Sequence, residues 1–96
     1  MKLVNKGEIL SDSVDDIYDI IFREYTHKGF CDVDFEGVKT ITTKFAGKLF
    51  GRLYDNLGKE EFYKNIHIIN MSNDVKISYE VGLIRYIKYG KIKRFS

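Results

Sequence analysis

Asp32 and Asp34 stand two residues apart in the stretch Phe30-Cys31-Asp32-Val33-Asp34-Phe35, which alternates apolar and polar. On a strand that spacing puts both carboxylates on one face, where paired acids can share a proton or hold a divalent cation. The plainer reading is a solvated strand face, with Asp34 accepting hydrogen bonds from backbone amides in the turn that follows. His27, Cys31 and His67 are residue types that a soft metal would use, but they lack the closely spaced pairs of zinc motifs. A surface His, a small buried Cys and a strand-edge His account for them. Nothing beside Cys31 in the chain would lower its thiol pKa. The eight glycines are scattered as turn and cap residues and form no phosphate-cradling loop. These residues point away from an enzyme, and no catalytic residue, metal or cofactor is expected.

Cations offer more. Arg85, Lys88, Lys91, Lys93 and Arg94 are interleaved with Tyr86, Tyr89 and Phe95, a pattern in which cations neutralise phosphates and aromatic faces stack bases. The plainer account is a helix end whose cations complement the C-terminal dipole, followed by a solvated tail. Nucleic-acid binding is therefore the alternative function, not the leading one. A second group, Thr42, Thr43, Lys44, Gly47, Lys48 and Arg52, falls at the start of a helix. By its residues alone this is an ordinary amphipathic helix, although Gly47 and Gly51 on one side hint at close approach by another backbone.

The elements that position these groups can be read from periodicity. Lys2-Leu3-Val4 and Glu8-Ile9-Leu10 read as a strand or hairpin. Ser13 then caps a helix carrying Val14, Ile17, Ile21 and Tyr25, which Gly29 ends. The strand with Cys31, Val33 and Phe35 follows, then a Glu36-Gly37 turn leading through Val38 to Ile41. Thr42 or Thr43 caps the second helix, with Phe45, Leu49, Phe50, Leu53 and Leu57 on its apolar stripe and Gly58 after it. Lys59 to Asn65 reads as one short helical turn with Phe62 inward, and Ile66 to Asn70 as a buried strand. Ser72 or Asn73 caps a third main helix with Val75, Tyr79, Leu83 and Ile87 inward, ending at Gly90. A β-α-β-α-β-α order with short connections predicts an α/β fold with parallel pairing.

Ninety-six residues make a single domain, 1–96, with a core over about 8–90 and a basic tail at 91–96. One cysteine rules out an internal disulfide and suits a reducing compartment. The first twelve residues hold no long apolar run, so neither a signal peptide nor a membrane span is expected, and the chain is placed in the cytoplasm. Residues 1–40 carry nine acidic against five basic side chains, and residues 41–96 carry five against eleven. A chain polarised in this way can steer a charged partner or pair head to tail as a homodimer.

Asp34-Phe35-Glu36-Gly37-Val38-Lys39-Thr40-Ile41 resembles the strand-and-turn of STAS domains, among them bacterial anti-sigma-factor antagonists and the regulatory tails of sulfate transporters. Thr42 to Leu49 resembles the start of their second helix. Asp34 to Val38, Phe45-Ala46, Leu49 and the strand Ile66 to Asn70 are similar to a prokaryotic STAS-like family of unknown function, over roughly residues 8–90. The resemblance implies a single STAS-like α/β domain, with a small mixed or parallel sheet and about three helices packed mainly on one face. It implies a regulatory, signalling role through protein docking at the second helix start: Thr42, Thr43, Lys44, Gly47, Lys48 and Arg52. The implied partner is a histidine-kinase-type ATPase or an anti-sigma-like switch protein. The antagonists' phosphorylated Ser falls on Lys44, which takes no phosphate, so Thr43 is the nearest phosphorylation candidate and the usual switch is absent.

Overall fold

A computed structural model of the chain describes residues 1–7, 9–10 and 14–90. The elements run β1 (Ile9–Leu10), α1 (Val14–Lys28), β2 (Cys31–Asp34), β3 (Thr40–Ile41), α2 (Thr43–Leu57), α3 (Lys59–Asn65), β4 (Ile66–Ile69) and α4 (Asn73–Arg85). A 3-10 turn at Leu3–Lys6 precedes them and a π-helical turn at Tyr86–Gly90 follows. Glu8, the Ser13 cap and the tail at 91–96 lie outside the described residues.

Among the described residues all strand pairing is parallel, as the β-α-β order predicts. β2 pairs with β4, setting Cys31 opposite Ile66, Asp32 opposite His67, Val33 opposite Ile68 and Asp34 opposite Ile69. β1 pairs separately with β3. The expected first strand contracts to one bridge, Lys2 beside Asp34. Leu3 then turns into the core, fully buried, and the Gly7 amide donates to the Val4 carbonyl at 3.0 Å to close the turn. Among the described residues four α-helices replace the expected three or so, because Lys59–Asn65 forms a distinct helix capped by Gly58.

The β2–β4 ribbon has one covered face. Cys31, Val33 and Ile66 are buried on it, while Asp32, His67 and Ile69 on the reverse are exposed. Helices cover the buried side. Phe45, Leu49, Phe50 and Leu53 of α2 are all fully buried. Phe50 meets Phe35 at 6.1 Å and the edge of Tyr79 at 5.0 Å, tying α2 to the end of β2 and to α4. Each such side chain contributes roughly 1.5–3 kcal/mol through burial, so α2 is the hub of the core.

The turn after β2 explains its own residue types. Asp34 Oδ1 accepts from the Glu36 amide at 2.8 Å and from Asn70 Nδ2 at 3.0 Å, joining the ends of the two paired strands. These bonds, that from Asn70 foremost, hold its carboxyl below the ordinary range. Gly37 adopts φ +84°, a left-handed conformation that side chains disfavour. Phe35 and Val38 on either side of the turn are buried. Asp34 is thus structural, as the plainer reading holds.

Candidate functional site

Thr42 opens α2. Its Oγ1 accepts from the Phe45 amide at 3.0 Å, satisfying a donor that the helix leaves free. Thr43, the first helical residue, is half-buried, and Lys44 and Lys48 stand exposed one turn apart. Between them Gly47 is buried against Gly82 of α4: a Cβ on Gly47 would lie 2.9 Å from the Gly82 carbonyl oxygen, and one on Gly82 would lie 2.9 Å from the Ala46 Cβ. The two helices touch backbone to backbone at this crossing. The hint of close approach is therefore met inside the chain, by α4. The ring of Tyr86 covers Gly51 one turn on, with its hydroxyl donating to Asp55 Oδ2 at 2.7 Å.

Beside the crossing, longer side chains frame a groove of about 590 Å³. Thr43, Lys44 and Lys48 form one wall; Arg85, Tyr86 and Tyr89 form the other; Gly47 and Gly82 make the floor. Three cations and no acid line it among the described residues. The start of α2 and the end of α4 carry helix-end charges of opposite sign, so the side-chain cations decide the sign of the field. A groove of this composition suits anionic groups borne on an aromatic or aliphatic frame.

The two cation clusters read from the sequence are thus partly one site, since Arg85 joins Lys44 and Lys48. Lys88 is exposed on the next turn and does not line the groove; Lys91, Lys93 and Arg94 lie outside the described residues. Arg52 is elsewhere. It bonds Asp15 Oδ1 at 2.6 Å and stacks over the Tyr18 ring at 4.2 Å, fastening α2 to α1. Steps of four residues overshoot a full turn by about 40°, so two steps carry Arg52 away from Lys44 and towards α1. Gly82 went unnoticed in the sequence, although a glycine inside a helix costs about 1 kcal/mol relative to Ala and is itself a sign of close packing.

The other chemistry-bearing residues stay apart. The Cys31 thiol, fully buried, donates to Glu24 Oε2 at 2.8 Å. Burial foremost, with Glu24 beside it, pushes the thiol pKa up to about 12, which suppresses the thiolate needed for attack. His67 is engaged at both ring nitrogens, Nδ1 with Asp32 Oδ1 at 2.8 Å and Nε2 with the Lys64 carbonyl at 2.9 Å. The Asp32 hydrogen bond is the main reason its pKa is raised. His27 lines a separate cavity of about 640 Å³ between α1 and the N-terminal turn. Among the described residues no three of His, Cys, Asp and Glu gather as a metal-holding group, and no helix is long and apolar enough to cross a membrane.

Comparison with known protein families matches residues 17–76 to a STAS-like domain of unknown function. No curated protein and no solved structure matches the chain. The matched span runs from within α1 through β2 and its turn, β3, α2, α3 and β4 to the first turn of α4. With more than half of its residues in that span, the chain belongs to the STAS-like domain family of unknown function.

Proposed function

We propose that this chain is a non-enzymatic regulatory interaction domain acting in the cytoplasm, which docks an acidic segment of a partner protein in the groove between α2 and α4. The observation that carries the reading is the groove's lining: Lys44, Lys48 and Arg85 face one opening beside Tyr86 and Tyr89, with no acid among them. Tyr and Arg are the residue types that supply binding energy at protein interfaces. The resemblance to anti-sigma-factor antagonists makes a histidine-kinase-type ATPase or an anti-sigma-like switch protein the partner class to try first. Lys44 occupies the antagonists' phosphoserine position, so docking here proceeds without that switch. Thr43 sits in the same groove, where a phosphate would compete with an acidic partner for the same cations.

The test is affinity capture from native cytosol at low and high salt, with a nuclease-treated control. A discrete protein is expected, retained by wild type and by Arg52→Gln, and lost by about tenfold or more in Lys44→Glu combined with Lys48→Glu. Equal capture by the double variant would place docking elsewhere. The aromatic-lined Arg85 side of the groove also favours a second reading, nucleic-acid binding through Arg85, Lys88, Lys91, Lys93 and Arg94. Its signature is recovery of nucleic acid, with affinity collapsing as salt rises through counterion release. Gly47→Arg is unsuitable as a probe, because its Cβ alone crowds the Gly82 carbonyl.

A further inference from the structure

The outward face of α4 carries Asp74, Ile77, Val81 and Ile84 at spacings of three, four and three residues, and Lys88 follows four residues on, in the π-helical turn. That alternation keeps the first four on one stripe of an α-helix, and Lys88 stands exposed at its C-terminal end. Ile77 is 61% exposed and Ile84 52%, Val81 is half-buried between them, and Asp74 and Lys88 are exposed at the two ends. None of the five lines the groove, which takes Gly82 and Arg85 from α4 and Tyr86 and Tyr89 from the π-helical turn. The opposite face of α4 is the one that packs inward, through Val75, Gly82 and Leu83. The helix is therefore apolar on two sides, and only one of them is covered.

The charges say what fits the other side. The stripe begins with an acid and ends with a base, and its aliphatic residues are nearly symmetrical about Val81. A second α4 running antiparallel about a two-fold axis at Val81 sets Ile77 beside Ile84 of the copy. The same operation sets Asp74 beside Lys88 at both ends. Isologous pairing satisfies each contact twice, and opposed helix dipoles favour it. A parallel arrangement would instead set Asp74 against Asp74 and Lys88 against Lys88. Among the described residues neither Asp74 nor Lys88 has an ion-pair partner within the chain. We propose that the exposed stripe of α4 is a self-complementary surface on which two copies of this chain pair antiparallel. This inference does not depend on what the groove binds.

A helix of 13 residues is about 20 Å long. One such pair is a small interface, below the ~1,200 Å² typical of stable complexes, so the dimer is weak and concentration-dependent. Sedimentation velocity of the full chain, from micromolar to millimolar, is expected to show the mass rising from 11.3 kDa towards twice that value. Asp74→Lys and Lys88→Asp should each weaken pairing by about tenfold, because each reverses two symmetry-related contacts. The double exchange Asp74→Lys with Lys88→Asp should restore it to within a few-fold. Ile77→Ser with Ile84→Ser, at positions that no core contact needs, should abolish dimers while leaving the circular dichroism unchanged. A wild-type monomer throughout the range overturns self-pairing. Dimers that survive the Ile77 and Ile84 exchange place the contact elsewhere, and failure of the double exchange to rescue refutes the antiparallel register.

Discussion

His67 shows how far a suggestive residue can be explained by its own neighbours. Donating from both ring nitrogens suits the imidazolium, and the bond to Asp32 raises the pKa above the ordinary 6.5. With the folded pKa above the unfolded one, the stabilisation is complete below about pH 6.5 and is lost as pH rises through the folded value. Both partners are about half exposed, so solvent screens the pair and the loss should be about 0.5 kcal/mol or less. Denaturant unfolding of wild type and His67→Gln between pH 5 and 9 should show the difference between them shrinking as pH rises. A difference independent of pH would sink this account. Cys31 is explained equally locally, since burial and the Glu24 carboxylate that accepts its hydrogen bond keep the proton on the sulfur.

Among the elements, α2 and α4 matter most, because their crossing both completes the core and makes the groove. Gly82→Ala tests the crossing. Its new methyl group meets the Thr43 carbonyl, the Ala46 Cβ and the Gly47 amide. Overpacking costs about 1–3 kcal/mol against roughly 1 kcal/mol gained in helix propensity, and the contact is with backbone that cannot step aside. A net loss of about 1–2 kcal/mol is expected by chemical denaturation; a gain would mean that the helices stand further apart than described. Most of these elements were legible in the sequence. The apolar stripes of α1, α2 and α4, the alternation of β2 and the caps at Thr42 and Ser72 are where periodicity and capping chemistry place them. The 3-10 turn after Lys2 was not, since Lys2-Leu3-Val4 has the composition of a strand and only the tertiary burial of Leu3 turns it. The site was half legible. Lys44 and Lys48 could be named from the helix start, but their union with Arg85 depends on how α4 crosses α2, which no periodicity reports.

For the molecule as a whole, the family match stops at residue 76 although the fold does not. Leu83 is buried, Tyr79 packs on Phe50, and Tyr86 covers Gly51, all beyond that point. Losing three such side chains removes several kcal/mol of burial, against a total stability of roughly 5–14 kcal/mol for a chain of this length. A chain ending at residue 76 should therefore lose its cooperative thermal transition by circular dichroism, while one ending at residue 90 keeps it. A cooperative transition in the shorter chain would show that α4 is an appendage. The groove also lies on the basic part of the chain, so the polarity counted from residues 1–40 and 41–96 has a place in three dimensions.

The parallel pairing of β2 with β4 constrains the order in which the native state assembles. Asp32 and His67 face each other across 35 residues of chain. Closing a flexible loop of that length costs about 3 kcal/mol before any ladder bond is returned. α2 and α3 occupy most of the intervening chain; once formed, they shorten the span left to close and carry Ile66 back to Cys31. Weakening α2 is therefore expected to slow refolding more than loosening the turn at Gly37, a difference that stopped-flow refolding of variants in each would read.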